Sequence, residues 1–138
     1  MLDQVLTEYR GKVRLTFKDF PLPGHALARP AHEAARCAGA AGKYWDYHDR
    51  LFQAQPNFER ADLLRYARDL GIPAEAFAQC VDSGRSRRLV EADVDQGRRL
   101  GVSGTPTFFI NDVRLEGAAP FETFKQVIDM ILPEGRKR

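Results

Sequence analysis

The spacing of apolar residues changes several times along the 138-residue chain, and each change marks a new segment. Residues 3 to 9 place Val5, Leu6 and Tyr9 on one face of a short helix, which ends at Gly11. Residues 13 to 17 then alternate apolar and polar side chains before a stretch rich in proline and glycine. This alternation predicts a strand with an abrupt end.

From about residue 30 to residue 100 the apolar residues recur at helical spacing, and single glycines and prolines interrupt them. No strand pattern occurs in this stretch. The sequence therefore predicts a helical block. The predicted helices are residues 30 to 41, 43 to 54, 60 to 70, 74 to 82 and 86 to 100.

The last part of the chain returns to strand spacing. Residues 107 to 110 are an apolar run, Asn111-Asp112 is a typical turn pair, and residues 113 to 115 resume the run, which predicts a β-hairpin. A final helix begins at Pro120 and continues to Pro133. The predicted order of helix, strand, helical block, strand, strand and helix makes this an α/β chain with a large helical insertion.

Composition and charge exclude several classes of protein. The chain is 43% hydrophobic and 29% charged, as is usual for a globular domain, and no apolar stretch approaches the roughly 20 residues that span a bilayer. We therefore expect no membrane partner. A net charge of +2 is too small to indicate nucleic acid as a partner. The amino-terminal residues lack the apolar core of a secretion signal, so the compartment is not encoded in the chain.

The segment from Gly101 to Asn111 resembles the cis-proline loop of DsbA-like thiol-disulfide oxidoreductases, in which a cis proline precedes a core strand and faces the redox cysteines. Pro106 alone could equally be a proline that starts a strand. The resemblance extends over most of the chain. The other matching segments are Val13 to Leu22, Ala35 to Ala38, Gly42 to Phe52 and Gly117 to Phe121.

The resemblance implies a thioredoxin-like fold with an inserted all-helical subdomain. Residues 1–24 and 101–138 would form the thioredoxin-like core, and residues 25–100 the insert. Gly104, Thr105 and Pro106 would bind the substrate, an unfolded or partly folded polypeptide, and no cofactor is implied. Members of this family are often extracytoplasmic, in the periplasm or secreted, but the localisation of this chain stays open.

The chain departs from the family in one respect, because it has no Cys-x-x-Cys pair and begins inside the helix that this pair would open. We therefore expect an amino-terminally truncated form with no catalytic residue at the family site, and disulfide exchange only in a fuller form. One alternative is a non-enzymatic module that binds peptides in the cis-proline groove. A second alternative is a relative of the kappa-type glutathione transferases.

Cys37 and Cys80 are 43 residues apart, which is not the spacing of a redox pair. We predict a structural disulfide, with two buried thiols or an unusual redox couple as the alternatives, and related proteins often carry cysteines at matching places. His25, His32 and His48 do not have zinc-ligand spacing, so no metal site is expected.

Helical spacing assigns Tyr44, Tyr47, His48 and Leu51 to one packed face, rather than to a peptide-binding surface.

We predict that the chain forms a homodimer. By the resemblance, the absent first strand would lie between residues 13 to 17 and residues 107 to 110, and unpaired backbone groups there would cost about 1 to 3 kcal/mol each. Another copy of the chain could fill this gap by donating a segment, the two strands could close up directly, or an upstream segment of a longer form could occupy it. Of these, we hypothesise association through this edge. Sedimentation should therefore detect a dimer, and a compact folded monomer at high concentration would contradict the prediction.

Overall fold

The computed structural model describes residues 1–133, which form seven α-helices and two β-strands. The helices are α1 (Leu2–Glu8), α2 (Ala28–Ala40), α3 (Tyr44–Ala54), α4 (Arg60–Asp69), α5 (Ala74–Ser83), α6 (Arg87–Arg99) and α7 (Phe121–Ile131). The strands are β1 (Thr107–Ile110) and β2 (Val113–Glu116). No described helix is long and apolar enough to cross a membrane.

The chain separates into two compact units. The first, which we call the split unit, combines Met1–Lys18 with the residues from Val102 onward. The second, the helical unit, is Asp19–Gly101 and contains α2 to α6. The functional domain boundaries expected from the sequence, after residues 24 and 100, stay a prediction.

The split unit is built on a β-hairpin and two helices. β1 and β2 pair antiparallel, with Phe108 opposite Leu115, and Asn111 in the turn takes a positive φ of 53°. The ring of Phe108 meets that of Phe124 on α7 edge to face, with 4.8 Å between ring centroids. Buried Tyr9 follows α1 and donates a 2.6 Å hydrogen bond to a carboxylate oxygen of Asp129 on α7. These contacts hold both helices and the hairpin in one small core.

The helical unit is assembled around α2. Four of its alanines are buried, which lets neighbouring helices approach closely; they are Ala31, Ala34, Ala35 and Ala38. α2 packs against α3, α4, α5 and α6. Within this core the hydroxyl of fully buried Tyr47 donates a 2.8 Å hydrogen bond to the carbonyl of Leu63. The polar end of a core tyrosine is thereby satisfied.

Most elements predicted from apolar spacing are confirmed. All five helices of the block are present, with ends displaced by a few residues, and the hairpin and the last helix lie where they were expected.

The predicted strand at residues 13 to 17 is wrong, since no strand is assigned among the described residues before Thr107. The alternation that suggested it is nevertheless real. Val13, Leu15 and Phe17 are half-buried, whereas residues 14, 16 and 18 are exposed. A strand exists only where a neighbouring strand accepts its ladder of hydrogen bonds, and the described sheet consists of β1 and β2 alone. Side-chain alternation shows which face of an extended segment is buried. It does not show whether a neighbouring strand is present to pair with it.

Candidate functional site

The turn from Gly104 to Pro106, which we call the Thr105 turn, leads directly into β1. The Thr105–Pro106 peptide bond is cis. Two hydrogen bonds brace the turn: the hydroxyl of Thr107 donates to the carbonyl of Gly104 at 2.7 Å, and the backbone N–H of Gly117 donates to the carbonyl of Pro106 at 2.8 Å. The turn is therefore fixed from both sides of the hairpin.

Thr105 and Pro106 are both exposed. Among the described residues, the backbone N–H and C=O of Thr105 make no backbone hydrogen bond. A Cβ added at Gly104 would meet no heavy atom within 4 Å. The Thr105 turn thus offers open space and free backbone groups, the features that allow an extended chain to lie alongside.

Cys37 and Cys80 are joined by a disulfide that links α2 to α5, with 5.9 Å between their Cα atoms. Both residues are buried, at 3% and 6% exposure. Buried Ser86 lies beside the disulfide, with its hydroxyl oxygen 3.6 Å from the Cys37 sulfur. That hydroxyl donates to the carbonyl of Glu33 on α2 at 2.8 Å. The disulfide is therefore part of the packing of the helical unit, while the Thr105 turn belongs to the split unit.

A buried carboxylate forms the most polar cluster of the helical unit. Asp19 has no exposed side-chain surface. One of its oxygens accepts a 2.8 Å hydrogen bond from Nδ1 of His32, and the other accepts a 2.6 Å hydrogen bond from Nε of Arg36. Arg36 also donates to Asp93 on α6 at 2.7 Å, and the same oxygen of Asp93 accepts from the backbone N–H of Asp19 at 2.9 Å. We call these four residues the Asp19 cluster.

The electrostatics of the Asp19 cluster favour its charged form. Burial by itself would raise the pKa of Asp19, but the hydrogen bonds from His32 and Arg36 outweigh burial and hold the pKa below its ordinary value. Burial likewise opposes the charge on Arg36, yet its hydrogen bond to Asp19 raises the pKa of the guanidinium. Because an ionised carboxylate can only accept hydrogen bonds, Nδ1 of His32 carries a proton.

α3 presents different residues to the core and to solvent. Of the predicted packed face, Tyr47 and Leu51 are buried, whereas Tyr44 and His48 are half-buried. Trp45 and Phe52 are exposed, and the ring of His48 lies between theirs. Nδ1 of His48 is 3.0 Å from a carboxylate oxygen of Asp49, so His48 lies at the edge of the packed face.

The Asp19 cluster was missed by reasoning from the sequence, which treated Asp19 only as part of a strand end. A usable signal was present. His32 and Arg36 are four residues apart on an alanine-rich helix, and two basic side chains beside a buried face require an acidic partner. No group of three or more metal-binding side chains occurs among the described residues.

The amino-acid sequence of the chain is similar to those of several known proteins. A protein-family model described as thioredoxin matches residues 1–130. The Na(+)/H(+) antiporter NhaA 3 of Salinispora tropica is 34% identical over 136 residues, which are 98% of this chain and 21% of the antiporter. The Na(+)/H(+) antiporter NhaA of Herminiimonas arsenicoxydans is 33% identical over 108 residues, 78% of this chain and 17% of that protein. The chain thus spans about a fifth of the length of the curated relatives it matches.

The fold matches a solved structure. The crystal structure of the thiol-disulfide exchange protein alpha-DsbA2 from Wolbachia pipientis superposes with a TM-score of 0.82, over 95% of this chain and 71% of that one, at 22% sequence identity. The predicted thioredoxin-like fold is thereby confirmed. The described part of the chain has a mostly helical version of it with a two-stranded sheet.

Replacing the buried carboxylate should destabilise the helical unit. In Asp19→Asn the amide oxygen replaces one acceptor, but the amide N–H₂ then faces a donor of His32 or Arg36, so we expect a loss of roughly 3 kcal/mol in the free energy of unfolding at pH 7. The pKa of Asp19 is lowered, so this stability is present above the ordinary aspartate pKa of 3.8 and is lost as the pH falls through the folded value. Urea unfolding from pH 7 to pH 3 should therefore show the two proteins converging in acid.

The matched control is Asp82→Asn, which removes the carboxylate of an exposed ion pair with Arg60. It should change stability little, because exposed pairs contribute little. Equal effects of the two substitutions would contradict the importance assigned to the Asp19 cluster.

Removing the disulfide should lower the free energy of unfolding by about 4 kcal/mol in the chain-entropy model, since it closes a long loop. Urea unfolding of Cys37→Ala/Cys80→Ala measures this loss, and the reduced wild-type chain is the matched control. Thiol titration in denaturant should detect no thiol before reduction and two afterwards. Two thiols without reductant would show that the disulfide is absent.

Proposed function

Because the chain belongs to the thioredoxin family, we propose that it is a polypeptide-binding domain of the protein-disulfide-exchange type. It engages unfolded or partly folded chains at the Thr105 turn and carries no redox-active cysteine pair among its own residues. Exchange of disulfides belongs to a form that brings a Cys-x-x-Cys pair to this turn.

The observation that carries the proposal is that Thr105, at the entrance to β1, is exposed and makes no backbone hydrogen bond among the described residues. An extended polypeptide can donate to the free C=O and accept from the free N–H, as in β-strand addition. The two bracing hydrogen bonds at Gly104 and Pro106 support this role, because a fixed turn loses little entropy when a partner binds. The fold shared with alpha-DsbA2 agrees with a polypeptide as the ligand.

The position of the cysteines supports the absence of redox chemistry in the chain itself. An exchange reaction begins with attack on a disulfide sulfur by a thiolate, so the sulfur must be reachable. Cys37 and Cys80 are buried in the helical unit, and neither has a second cysteine two residues away. We therefore assign their disulfide a structural role.

A second candidate function is that of a non-enzymatic interaction module, and the relatives favour it. Nearly the whole chain aligns with about a fifth of a protein named as a Na(+)/H(+) antiporter. A domain of this kind can therefore be carried by a longer membrane transporter. In that setting the Thr105 turn would bind a segment of the transporter or of a neighbouring protein without any thiol chemistry.

A side chain placed at Gly104 should block the Thr105 turn. A Cβ at Gly104 would meet no neighbouring atom and the residue has no positive φ, so we expect Gly104→Leu to keep the fold. We expect affinity for alkylated insulin B chain, an unfolded polypeptide without free thiols, to fall at least about tenfold, equal to 1.4 kcal/mol. Fluorescence anisotropy of the labelled B chain measures this.

The matched control is Gly24→Leu, which adds the same side chain at an equally open glycine of the helical unit. Its affinity should equal that of the wild type. Equal affinity of all three proteins would exclude the Thr105 turn as the binding site.

The chain should not accelerate the reduction of insulin by dithiothreitol, because its only two cysteines are held in the buried disulfide. The turbidity of released B chain follows the reaction. Acceleration that disappears in Cys37→Ala/Cys80→Ala would overturn the structural role given to this disulfide.

A further inference from the structure

The solvent side of α6 carries exposed arginine and leucine side chains, and we call this surface the arginine face. Its members are all exposed; they are Arg88, Leu89, Ala92, Gln96, Arg99 and Leu100. We propose that the arginine face binds the surface of a membrane that contains anionic phospholipids. The arginines pair with lipid phosphates, and the leucines insert between the headgroups.

The arginine face contains the same pair of residues twice. Arg88-Leu89 lies at its start, and Arg99-Leu100 follows eleven residues later. Leu100 continues the helix, since its backbone N–H donates to the carbonyl of Gln96 at 3.0 Å. Eleven residues make about three helical turns, so the two pairs lie on the same side of α6, about 16 Å apart along its axis. Leu89 is 55% exposed and Leu100 is 50% exposed, which leaves both available to one external surface.

Positive charge is left uncompensated along α6. Of its carboxylates, Glu91 is paired with Arg29, and Asp93 accepts a hydrogen bond from Arg36 at 2.7 Å. Only Asp95 lies outside an ion pair in the described part of the chain. Against it stand five exposed arginines that make no ion pair among the same residues; they are Arg85, Arg87, Arg88, Arg98 and Arg99. A surface of this kind attracts an anionic partner.

The stability of the helix does not account for the arginines at the amino-terminal end of α6. That end of a helix has a partial positive charge, which favours acidic side chains and disfavours basic ones. The first turn of α6 contains Arg87 and Arg88 and no acidic residue, and Arg85 lies just before it. These three cations therefore indicate an interaction outside the helix.

Contacts on the opposite side of α6 hold the arginine face outward. Val90 and Val94 are buried, at 0% and 2% exposure, and lie about 100° and 140° around the helix from Leu89. The hydroxyl of buried Ser86, which precedes α6, donates to the carbonyl of Glu33 at 2.8 Å. The rotation of the helix is thereby fixed before a partner arrives, so little conformational entropy is lost on binding.

The shape of the arginine face favours a lipid surface over a peptide. The two leucines lie on the convex ridge of a single helix, and such a ridge can rest on a planar surface with its apolar side chains among the headgroups. The guanidinium groups beside them match the geometry of phosphate oxygens. Peptides are bound in grooves or along open strand edges instead. This contact involves only the headgroup layer, whereas the expectation of no membrane partner concerned spanning segments.

Co-sedimentation with vesicles tests the proposal on the full chain. We expect binding to vesicles of phosphatidylcholine and phosphatidylglycerol, little binding to phosphatidylcholine alone, and weaker binding as salt is added. Arg88→Gln/Arg99→Gln should lower the partition coefficient at least about tenfold, because two cations near the anionic surface are lost. Leu89→Ser should lower it at least about threefold, because an inserted apolar side chain is lost.

Matched controls separate the arginine face from net charge and from general stickiness. Arg10→Gln/Arg14→Gln removes the same charge from exposed positions of the split unit, and Phe52→Ser removes an apolar residue that is 58% exposed on α3. Both controls should bind vesicles as the wild type does. Circular dichroism checks folding, and the comparison of the two lipid compositions with the wild type needs no substitution.

Four results would overturn the proposal. The first is no binding to the phosphatidylglycerol vesicles at low salt, and the second is equal binding to both lipid compositions. The third is a loss in either control as large as that in its matched variant of the arginine face. The fourth is saturable binding of a glutamate-rich peptide at the arginine face without binding of vesicles, which would make this face a protein-binding surface.

Discussion

The alanine-rich helix α2 is the element on which the helical unit depends. Its small buried side chains let four other helices pack against it at close range. A Cβ on Gly39, near its end, would lie only 3.5 Å from the Cβ of Tyr44, which shows how close the chain comes at the start of α3. Because α3, α4, α5 and α6 all pack on α2, a change in its position would alter its contacts with each of them.

Two kinds of link fasten other elements to α2, and they stabilise the fold in different ways. The disulfide from Cys37 to α5 acts mainly on the unfolded chain, whose freedom it restricts. The Asp19 cluster acts in the folded state, where it joins α2 to α6 and to the segment that precedes α2. A buried carboxylate is costly without partners, and His32 and Arg36 both donate hydrogen bonds to Asp19. The disulfide therefore restricts the unfolded chain, whereas the ionic cluster joins elements of the folded one.

Regular elements could be predicted from the sequence because their cause is local. Helical spacing, glycine and proline interruptions and the Asn111-Asp112 turn each act within a few residues. The strand expected at residues 13 to 17 was wrong because pairing depends on a neighbour, which local alternation does not encode. The Asp19 cluster was missed for the same reason, since it joins residues up to 74 positions apart. The turn at Gly104, Thr105 and Pro106 was expected from a motif, but the exposure of Thr105 and Pro106 is visible only in the fold.

α3 shows why residue type alone does not separate buried from exposed positions. Tyr47 and Trp45 are two residues apart and both aromatic, yet one is fully buried and the other is 45% exposed. Their difference follows from the rotation of the helix, which α4 fixes through Leu63 and Asp69. The same contacts that bury Tyr47 therefore hold Trp45 outward.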